Sequence, residues 1–241
     1  MSQQSQRPLR AVLFDAGNTL VFLDYERMAA GVGNALGLPL VGRELACHAA
    51  AAARAMERAG TDQERATAYL EALFLLGGVP QERMEEVRSC LAQLHQERHL
   101  WSAVPVSTRS ALGRLRAAGL LLGVVSNSEG RVEEALVAAG LRQFFDVVVD
   151  SAVVGIEKPD PRIFQAALQA LGVSPDETLF IGDLYEVDVI GARSAGIEAV
   201  LLGASPSSAP ECRTTTSIED FTESLLAGDR VITPLSSVER R

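Results

Sequence analysis

The feature that most constrains the fold is a regular alternation of apolar runs and helical patterns between residues 106 and 202. The apolar runs lie at 120–125, 147–149, 178–181 and 197–202, and stretches with helical spacing separate them. In one of these stretches Asp160-Pro161 predicts the start of a helix and Gly172 its end, and another helix is predicted at 188–195. Strands that alternate with helices of this length form a parallel sheet with right-handed crossovers. Residues 10–14 form one more apolar run, so we predict an α/β fold that begins with a buried strand.

A second pattern interrupts the first. From about Tyr25 to Leu100 the chain is rich in Ala, Arg and Glu at helical spacing, and no β-branched run breaks it. We predict four or five helices, with helical stretches at 44–58, 61–76 and 81–100. This gives a core of residues 1–21 plus 102–241 and a helical insert of residues 22–101. Toward the end, the Ser-, Pro- and Thr-rich residues 203–217 are predicted to be a loop, and a last helix is predicted near 218–226.

The composition of the chain argues against several kinds of partner and location. The formal net charge of −9 over 241 residues argues against a nucleic-acid groove or an anionic membrane surface as partner. No stretch approaches the roughly 20 apolar residues of a membrane span, and the first ten residues have no apolar segment of the secretory type. Cys47, Cys90 and Cys212 are far apart in the sequence, so we expect reduced thiols and a cytoplasmic protein.

Polar residues follow the predicted strands. Asp15 follows the first strand, Ser126-Asn127 the second, and Gly182-Asp183 a later one, while Lys158, the only lysine, lies in the loop after the third. Because the carboxyl ends of parallel strands meet at one edge of a sheet, we expect these residues to converge.

The converging residues suggest one chemistry. Asp15, Asp183 and Asp188 would be like charges at close range, which requires compensation by a cation. A hard dication with oxygen ligands, together with Lys158, would supply it. Such a site suits attack by Asp15 on a phosphoryl group, with the Ser126 hydroxyl and the backbone N–H groups after it binding the phosphoryl oxygens.

The motifs resemble those of the haloacid dehalogenase superfamily. They are Phe14-Asp15-Ala16-Gly17-Asn18-Thr19-Leu20, Ser126-Asn127, Lys158-Pro159-Asp160-Pro161-Arg162-Ile163-Phe164, and Gly182-Asp183 followed by Asp188. The helical insert is similar to the superfamily's C1 cap, and the resemblance covers roughly residues 9–204. It implies a Rossmann-like parallel core with an inserted all-helical cap. The run from Val124 to Ile163 most resembles the phosphoglycolate-phosphatase-like branch.

The resemblance also implies roles for individual residues. Asp15 would be the nucleophile, and Ser126, Asn127 and Lys158 would bind the phosphoryl group. The cofactor would be Mg²⁺, held by Asp15, the Gly17 carbonyl and Asp183, with Asp188 in support. The substrate would be a small phosphorylated molecule, and the protein a monomer or homodimer.

One position departs from the family pattern. Phosphatases of the family carry a second Asp two residues after the nucleophile, as acid and base, and here that position is Gly17. A phosphatase would then use another proton carrier, for which Glu129 and Glu186 are candidates, or a substrate with a good leaving group. A general acid–base group contributes about two to four orders of magnitude in rate.

Three alternatives follow from the missing Asp. A dehalogenase-type enzyme also lacks it and needs no magnesium, but typically lacks the acids that stand here at Asp183 and Asp188. A phosphonatase-like enzyme needs a lysine in its cap, and the insert has none. A degenerate member would bind a phosphorylated ligand without turnover, although Asp15 is retained.

Overall fold

The chain folds as two units in the computed structural model, which describes residues 8–56, 62–203 and 212–229. We call Met1–Phe22 with Ala103–Arg241 the core unit, and Leu23–Ser102 the helical unit. Within these described residues, none of the helices combines the length and apolar composition needed to cross a membrane.

The elements of the first hundred residues are mainly helical. They are β1 (Ala11–Phe14), β2 (Phe22–Leu23), α1 (Tyr25–Leu36), α2 (Gly42–Cys47), α3 (Ala49–Met56), α4 (Asp62–Leu76), a 3₁₀ turn at Gln81–Arg83, and α5 (Met84–Glu97). The helix predicted over 44–58 is divided at His48, and its last two residues lie outside the described part.

The remaining elements alternate between strand and helix. They are β3 (Trp101–Ala103), α6 (Val106–Ala117), β4 (Leu121–Ser126), α7 (Val132–Ala138), β5 (Val147–Asp150), α8 (Ser151–Val154), α9 (Pro161–Leu171), β6 (Thr178–Gly182), a π turn at Tyr185–Val189, α10 (Ile190–Ser194), β7 (Glu198–Leu202), β8 (Arg213–Thr215) and α11 (Ile218–Ser224). A second π turn at Leu225–Asp229 follows α11.

Six parallel strands form the sheet of the core unit, in the order β5-β4-β1-β6-β7-β8. All residues of β1 are buried, as expected for a central strand of a parallel sheet covered on both faces. Phe14, the last residue of β1, is level with Val124 of β4 and Ile181 of β6. The predicted α/β fold with a parallel sheet is therefore confirmed.

The helical unit has an apolar core of its own. Met28 and Val32 of α1 are buried together with Leu73 and Phe74 of α4. The α1 helix begins at an N-cap, where the Asp24 carboxylate accepts a hydrogen bond from a backbone N–H of the first turn. In α1, apolar residues at helical spacing thus produce a buried face.

Three elements differ from the sequence-based prediction. The predicted loop 203–217 contains the edge strand β8, whose Arg-Thr-Thr sequence is polar because an edge strand is half exposed; residues 204–211 lie outside the described part. The paired two- and three-residue strands β2 and β3 were not predicted, because they are too short to show a period. The helix predicted at 188–195 begins instead with the π turn at Tyr185–Val189.

Helix α9 fixes the segment that carries Lys158. Its N-cap is Asp160, Pro161 is its first residue, and Gly172 ends it with a left-handed φ of 64°, as the sequence predicts. The Phe164 ring packs edge-on against Phe180 of β6, with ring centroids 5.1 Å apart. This packing connects the Lys158 segment to a central strand of the sheet.

Candidate active site

The carboxyl ends of three neighbouring strands place Asp15, Ser126 and Asp183 at one edge of the sheet. Asp15 directly follows β1, Ser126 ends β4, and Asp183 directly follows β6. The backbone N–H of Asp15 donates to the carbonyl of Ile181 at 2.9 Å, so the ladder between β1 and β6 continues to the site. These residues lie in the core unit, where strand order brings them together as the sequence predicted.

Lys158 bridges two carboxylates inside the core unit. Its Nζ lies 2.5 Å from Oδ1 of Asp15 and 2.8 Å from Oδ1 of Asp188, and its side chain is 2% exposed. A buried ammonium is stable only when it is paired and hydrogen-bonded, and both carboxylates provide this. The sole lysine of the sequence is therefore held in ion pairs with the Asp15 and Asp188 carboxylates.

Asp188 also organises the turn around Asp183. Its Oδ2 accepts a hydrogen bond from the backbone N–H of Leu184 at 2.9 Å, while its Oδ1 binds Lys158. A Cβ at Gly182 would lie 2.5 Å from Oδ2 of Asp188, so the carboxylate occupies the space that any side chain at 182 would need. Glycine at 182 is thus required for this placement of Asp188.

Three carboxylates form a tight cluster. Asp15, Asp183 and Asp188 each offer one oxygen, and these oxygens all lie within 4.8 Å of one another. Burial, opposed by Lys158 and assisted by Asp188, raises the pKa of Asp15 to about 6. Burial, together with the charges of Asp15 and Asp188, raises the pKa of Asp183 to about 8. The cluster therefore carries more negative charge than its surroundings stabilise.

For the Lys158 ammonium, the effect of neighbouring charges on the pKa outweighs the effect of burial. Burial disfavours the charged form of Lys158, but Asp15 and Asp188 more than offset this and raise its pKa above the ordinary value. In the part of the chain that the structure describes, this ammonium pairs with Asp15 and Asp188 in a cluster of three carboxylates. Clustered carboxylate oxygens with surplus negative charge are the donor set that a hard dication such as Mg²⁺ prefers, so the residues present fit this ion.

A cavity borders the cluster on the Asp183 side. It has a volume of about 510 Å³ within the core unit and is lined by Asp183, Thr19, Thr108 and Thr216, among others. The Thr19 hydroxyl is buried and has no hydrogen-bond partner. Because Mg²⁺ retains several of its waters, open space beside Asp183 is compatible with a hydrated ion.

Gly17 lies in a tight turn after Asp15. The backbone N–H of Leu20 and that of Val21 both donate to the carbonyl of Ala16, and Asn18 adopts a left-handed φ of 54°. No side chain projects from position 17. The two glutamates proposed from the sequence as substitute proton carriers, Glu129 and Glu186, are both exposed.

Asn127 has a placement that sequence reasoning did not anticipate. Its side-chain Oδ1 accepts the backbone N–H of Lys158 at 2.8 Å, and its Nδ2 donates to the carbonyl of Lys158 at 3.0 Å. A contact with a phosphoryl group would therefore come from the backbone N–H of Asn127, next to the buried Ser126.

Sequence reasoning missed Asp150 at the end of β5. This buried carboxylate accepts the backbone N–H groups of Gly130, Val132 and Ala152 at 3.0–3.1 Å, and so holds the loop after Ser126. Asp150 is level with Ser126 in the sheet. The available signal was an Asp directly after an apolar run, which is the same signal that identified Asp15.

The chain matches the model of the haloacid dehalogenase-like hydrolase family over residues 9–196. The chain belongs to this family. The resemblance of its motifs to that family is therefore confirmed, and as a member of the haloacid dehalogenase-like hydrolases it shares their α/β fold.

Individual relatives carry more specific names. Over 175 residues the chain is 38% identical to a phosphoserine phosphatase from Thermus thermophilus, which covers 70% of this chain and 66% of that protein. It is 31% identical to the phosphatase MT3486 from Mycobacterium tuberculosis over 203 residues, covering 82% of this chain and 88% of that one. Of several other relatives, including the phosphoserine phosphatase, the chain spans only part of the length, between 44% and 66%.

Solved structures share the fold. The hydrolase YfnB from Bacillus subtilis superposes with a TM-score of 0.65 at 19% identity, over 91% of this chain and 100% of that one. At this level of identity the likeness extends to the fold and not to the substrate.

Proposed function

We propose that the chain is a Mg²⁺-dependent phosphatase of small phosphorylated molecules, with Asp15 as the nucleophile. The observation that carries this proposal is the cluster of Asp15, Asp183 and Asp188 around a single buried Lys158. The similarity to the two phosphatases named above supports the same reaction class.

Four residues of the site have separate tasks in the proposed reaction. An oxygen of Asp15 attacks phosphorus in line with the ester oxygen; a new P–O bond forms as the ester P–O bond breaks, and the leaving oxygen takes a proton from water. Water then attacks the phosphorus of the aspartyl phosphate and releases inorganic phosphate and Asp15. Lys158 offsets the charge of Asp15 and of the transferring group, and the Ser126 hydroxyl and the Asn127 N–H hold phosphoryl oxygens.

Magnesium, when held by Asp15, Asp183 and the carbonyl of Gly17, would offset the charge of the carboxylates and of the phosphoryl oxygens. Asp188 would support these ligands indirectly, because both of its carboxylate oxygens already accept hydrogen bonds, from Lys158 and from the backbone N–H of Leu184. Its task is therefore to orient Lys158 and the turn that carries Asp183.

The helical unit is proposed to act as a cap that selects the substrate and excludes water during turnover. Its separate apolar core supports this proposal, since a unit that packs internally can move as a body. A screen of phosphate esters would identify the substrate within the class of small phosphorylated molecules.

Magnesium dependence separates the proposed phosphatase from a dehalogenase. We expect release of phosphate from p-nitrophenyl phosphate or from a phosphometabolite panel to fall by about a hundredfold or more in excess EDTA and to return with added Mg²⁺. A parallel assay of halide release from 2-chloropropionate should remain at background. Full phosphate release in EDTA would exclude the metal claim, and halide release without metal would establish the dehalogenase. Tight binding of a phosphate ester without turnover would establish a non-catalytic binder.

Gly17→Asp is expected to raise p-nitrophenyl phosphate turnover by about tenfold to a hundredfold, because it restores a carboxyl group that can transfer protons. Gly17 does not adopt a left-handed φ, so its backbone conformation is one that residues with a side chain also adopt. The matched control is Gly17→Asn, which has the same shape but no acid. Equal gains in both variants, or no gain in a folded Gly17→Asp protein, would show that proton transfer at position 17 does not limit the reaction.

A further inference from the structure

The segment that carries Lys158 lies between α8 and α9 and belongs to neither helix. Backbone N–H and C=O groups in such a segment need partners when they are removed from water. At Lys158 both groups are bound by one side chain, the Asn127 amide, at 2.8 and 3.0 Å. This paired contact has the donor and acceptor pattern of a β-ladder, made by a side chain instead of a strand.

The contact joins two parts of the site that are far apart in the chain. Asn127 directly follows β4, and Lys158 lies 31 residues later. At the other end of the lysine, Nζ is placed between the Asp15 and Asp188 carboxylates. The side chain of Lys158 is therefore fixed at its charged end by two carboxylates and at its backbone by Asn127.

A lysine stem is flexible, so its ammonium is held precisely only if its backbone is held as well. Loss of the Asn127 contact would allow the backbone of Lys158 to shift while Asp15 stays fixed by the ladder between β1 and β6. A displacement of about 1 Å in a group that acts on the transition state can cost about a hundredfold in rate.

We propose that Asn127 is a positioning residue, whose side-chain amide holds the backbone of Lys158 so that the ammonium meets Asp15. This inference rests on the proposed function for its effect on turnover, but the contact itself can be measured without turnover. It adds to the phosphoryl contact proposed for the backbone N–H of Asn127, which a change of side chain retains.

The single lysine makes the contact directly observable. Protein labelled with [¹⁵N]lysine gives one backbone amide signal, from Lys158, and its N–H is the donor to Asn127. We expect Asn127→Leu, which keeps the side-chain volume but removes both polar atoms, to accelerate hydrogen exchange of this amide by about tenfold in the ligand-free protein. Asn34→Leu is the matched control, because Asn34 is exposed on α1, and it should leave the exchange rate unchanged.

Asn127→Asp tests the acceptor separately. A carboxylate oxygen can still accept the N–H of Lys158 but cannot donate to its carbonyl. We expect exchange to remain within about threefold of wild type in this variant, and kcat to fall about tenfold in both Asn127 variants with less than a threefold change in KM.

Two results would overturn the proposal. One is unchanged exchange and chemical shift of the Lys158 amide in Asn127→Leu, with a raised KM, because the amide would then bind substrate. The other is loss of protection in a folded Asn127→Asp protein, which also decides the matter if Asn127→Leu fails to fold by circular dichroism. If no substrate is turned over by the wild type, the proposed function fails while the exchange measurement still tests the contact.

Discussion

Asp15→Asn is expected to reduce Mg²⁺-dependent turnover of p-nitrophenyl phosphate by about a thousandfold or more while the protein remains folded. An amide oxygen is a poor nucleophile, and loss of a covalent nucleophile is among the largest single-residue effects in enzymes. The measurement is steady-state phosphate release in saturating Mg²⁺, with circular dichroism to establish the fold.

The fold should tolerate this substitution. The pKa of Asp15 is raised to about 6, so the folded protein disfavours its ionised form, and removal of that charge does not cost stability above this pH. Lys158 keeps the Asp188 carboxylate as a partner. Asp176→Asn is the control, because Asp176 is exposed and precedes β6, whereas the site lies after that strand. Turnover that survives in Asp15→Asn would remove Asp15 from the chemistry.

Lys158→Met is expected to abolish turnover and to lower the free energy of unfolding by about 3–5 kcal/mol in EDTA. Removal of one partner from a buried ion pair leaves uncompensated charge, and here Asp15 and Asp188 both lose their cation. Added Mg²⁺ should restore part of the lost stability, because an ion that binds only the folded state stabilises it. Denaturant unfolding in EDTA and in Mg²⁺ measures both effects.

Arg162→Met is the matched control for Lys158→Met. It removes one positive charge four residues later, from an exposed pair with Asp160, and exposed pairs contribute little to stability. Its unfolding midpoint and turnover should stay close to those of the wild type. If Lys158→Met unfolds at the same denaturant concentration as Arg162→Met, the ion pairs with Asp15 and Asp188 do not stabilise the folded protein.

The sequence was sufficient to predict five of the six strands of the sheet and the polar side chains that follow them. Period and length identify strands such as β4 and β6, and parallel strands have their carboxyl ends together, so convergence of Asp15, Ser126 and Asp183 follows from topology alone. The Asp160-Pro161 start and the Gly172 end of α9 were equally predictable, because capping depends on local sequence.

Contacts between residues that are far apart in the sequence were not predictable from the sequence. Nothing local distinguishes the Asn127 amide, which binds the backbone of Lys158, from an ordinary helix cap. Asp150 accepts three backbone N–H groups, from the Gly130 loop and from the first turns of α7 and α8, a role that requires their placement in three dimensions. The edge strand β8 was missed because three polar residues show no periodicity and pair only through a partner strand.

Gly17 illustrates a different limit. The sequence identifies the absence of an acid at this position, and the structure adds that Glu129 and Glu186 are exposed, but the proton carrier of a reaction is defined by substrate and enzyme together. The comparison of Gly17→Asp with Gly17→Asn addresses this point directly.

Direct detection of the covalent intermediate tests the central claim. Wild-type protein is mixed with Mg²⁺ and excess p-nitrophenyl phosphate, quenched in acid during turnover, digested, and analysed by mass spectrometry. We predict a base-labile phosphoryl group on the peptide that contains Asp15, absent in Asp15→Asn and absent when EDTA replaces Mg²⁺. Steady turnover with no phosphoryl group on that peptide, or with the group on another residue, would contradict the assignment of Asp15 as the nucleophile.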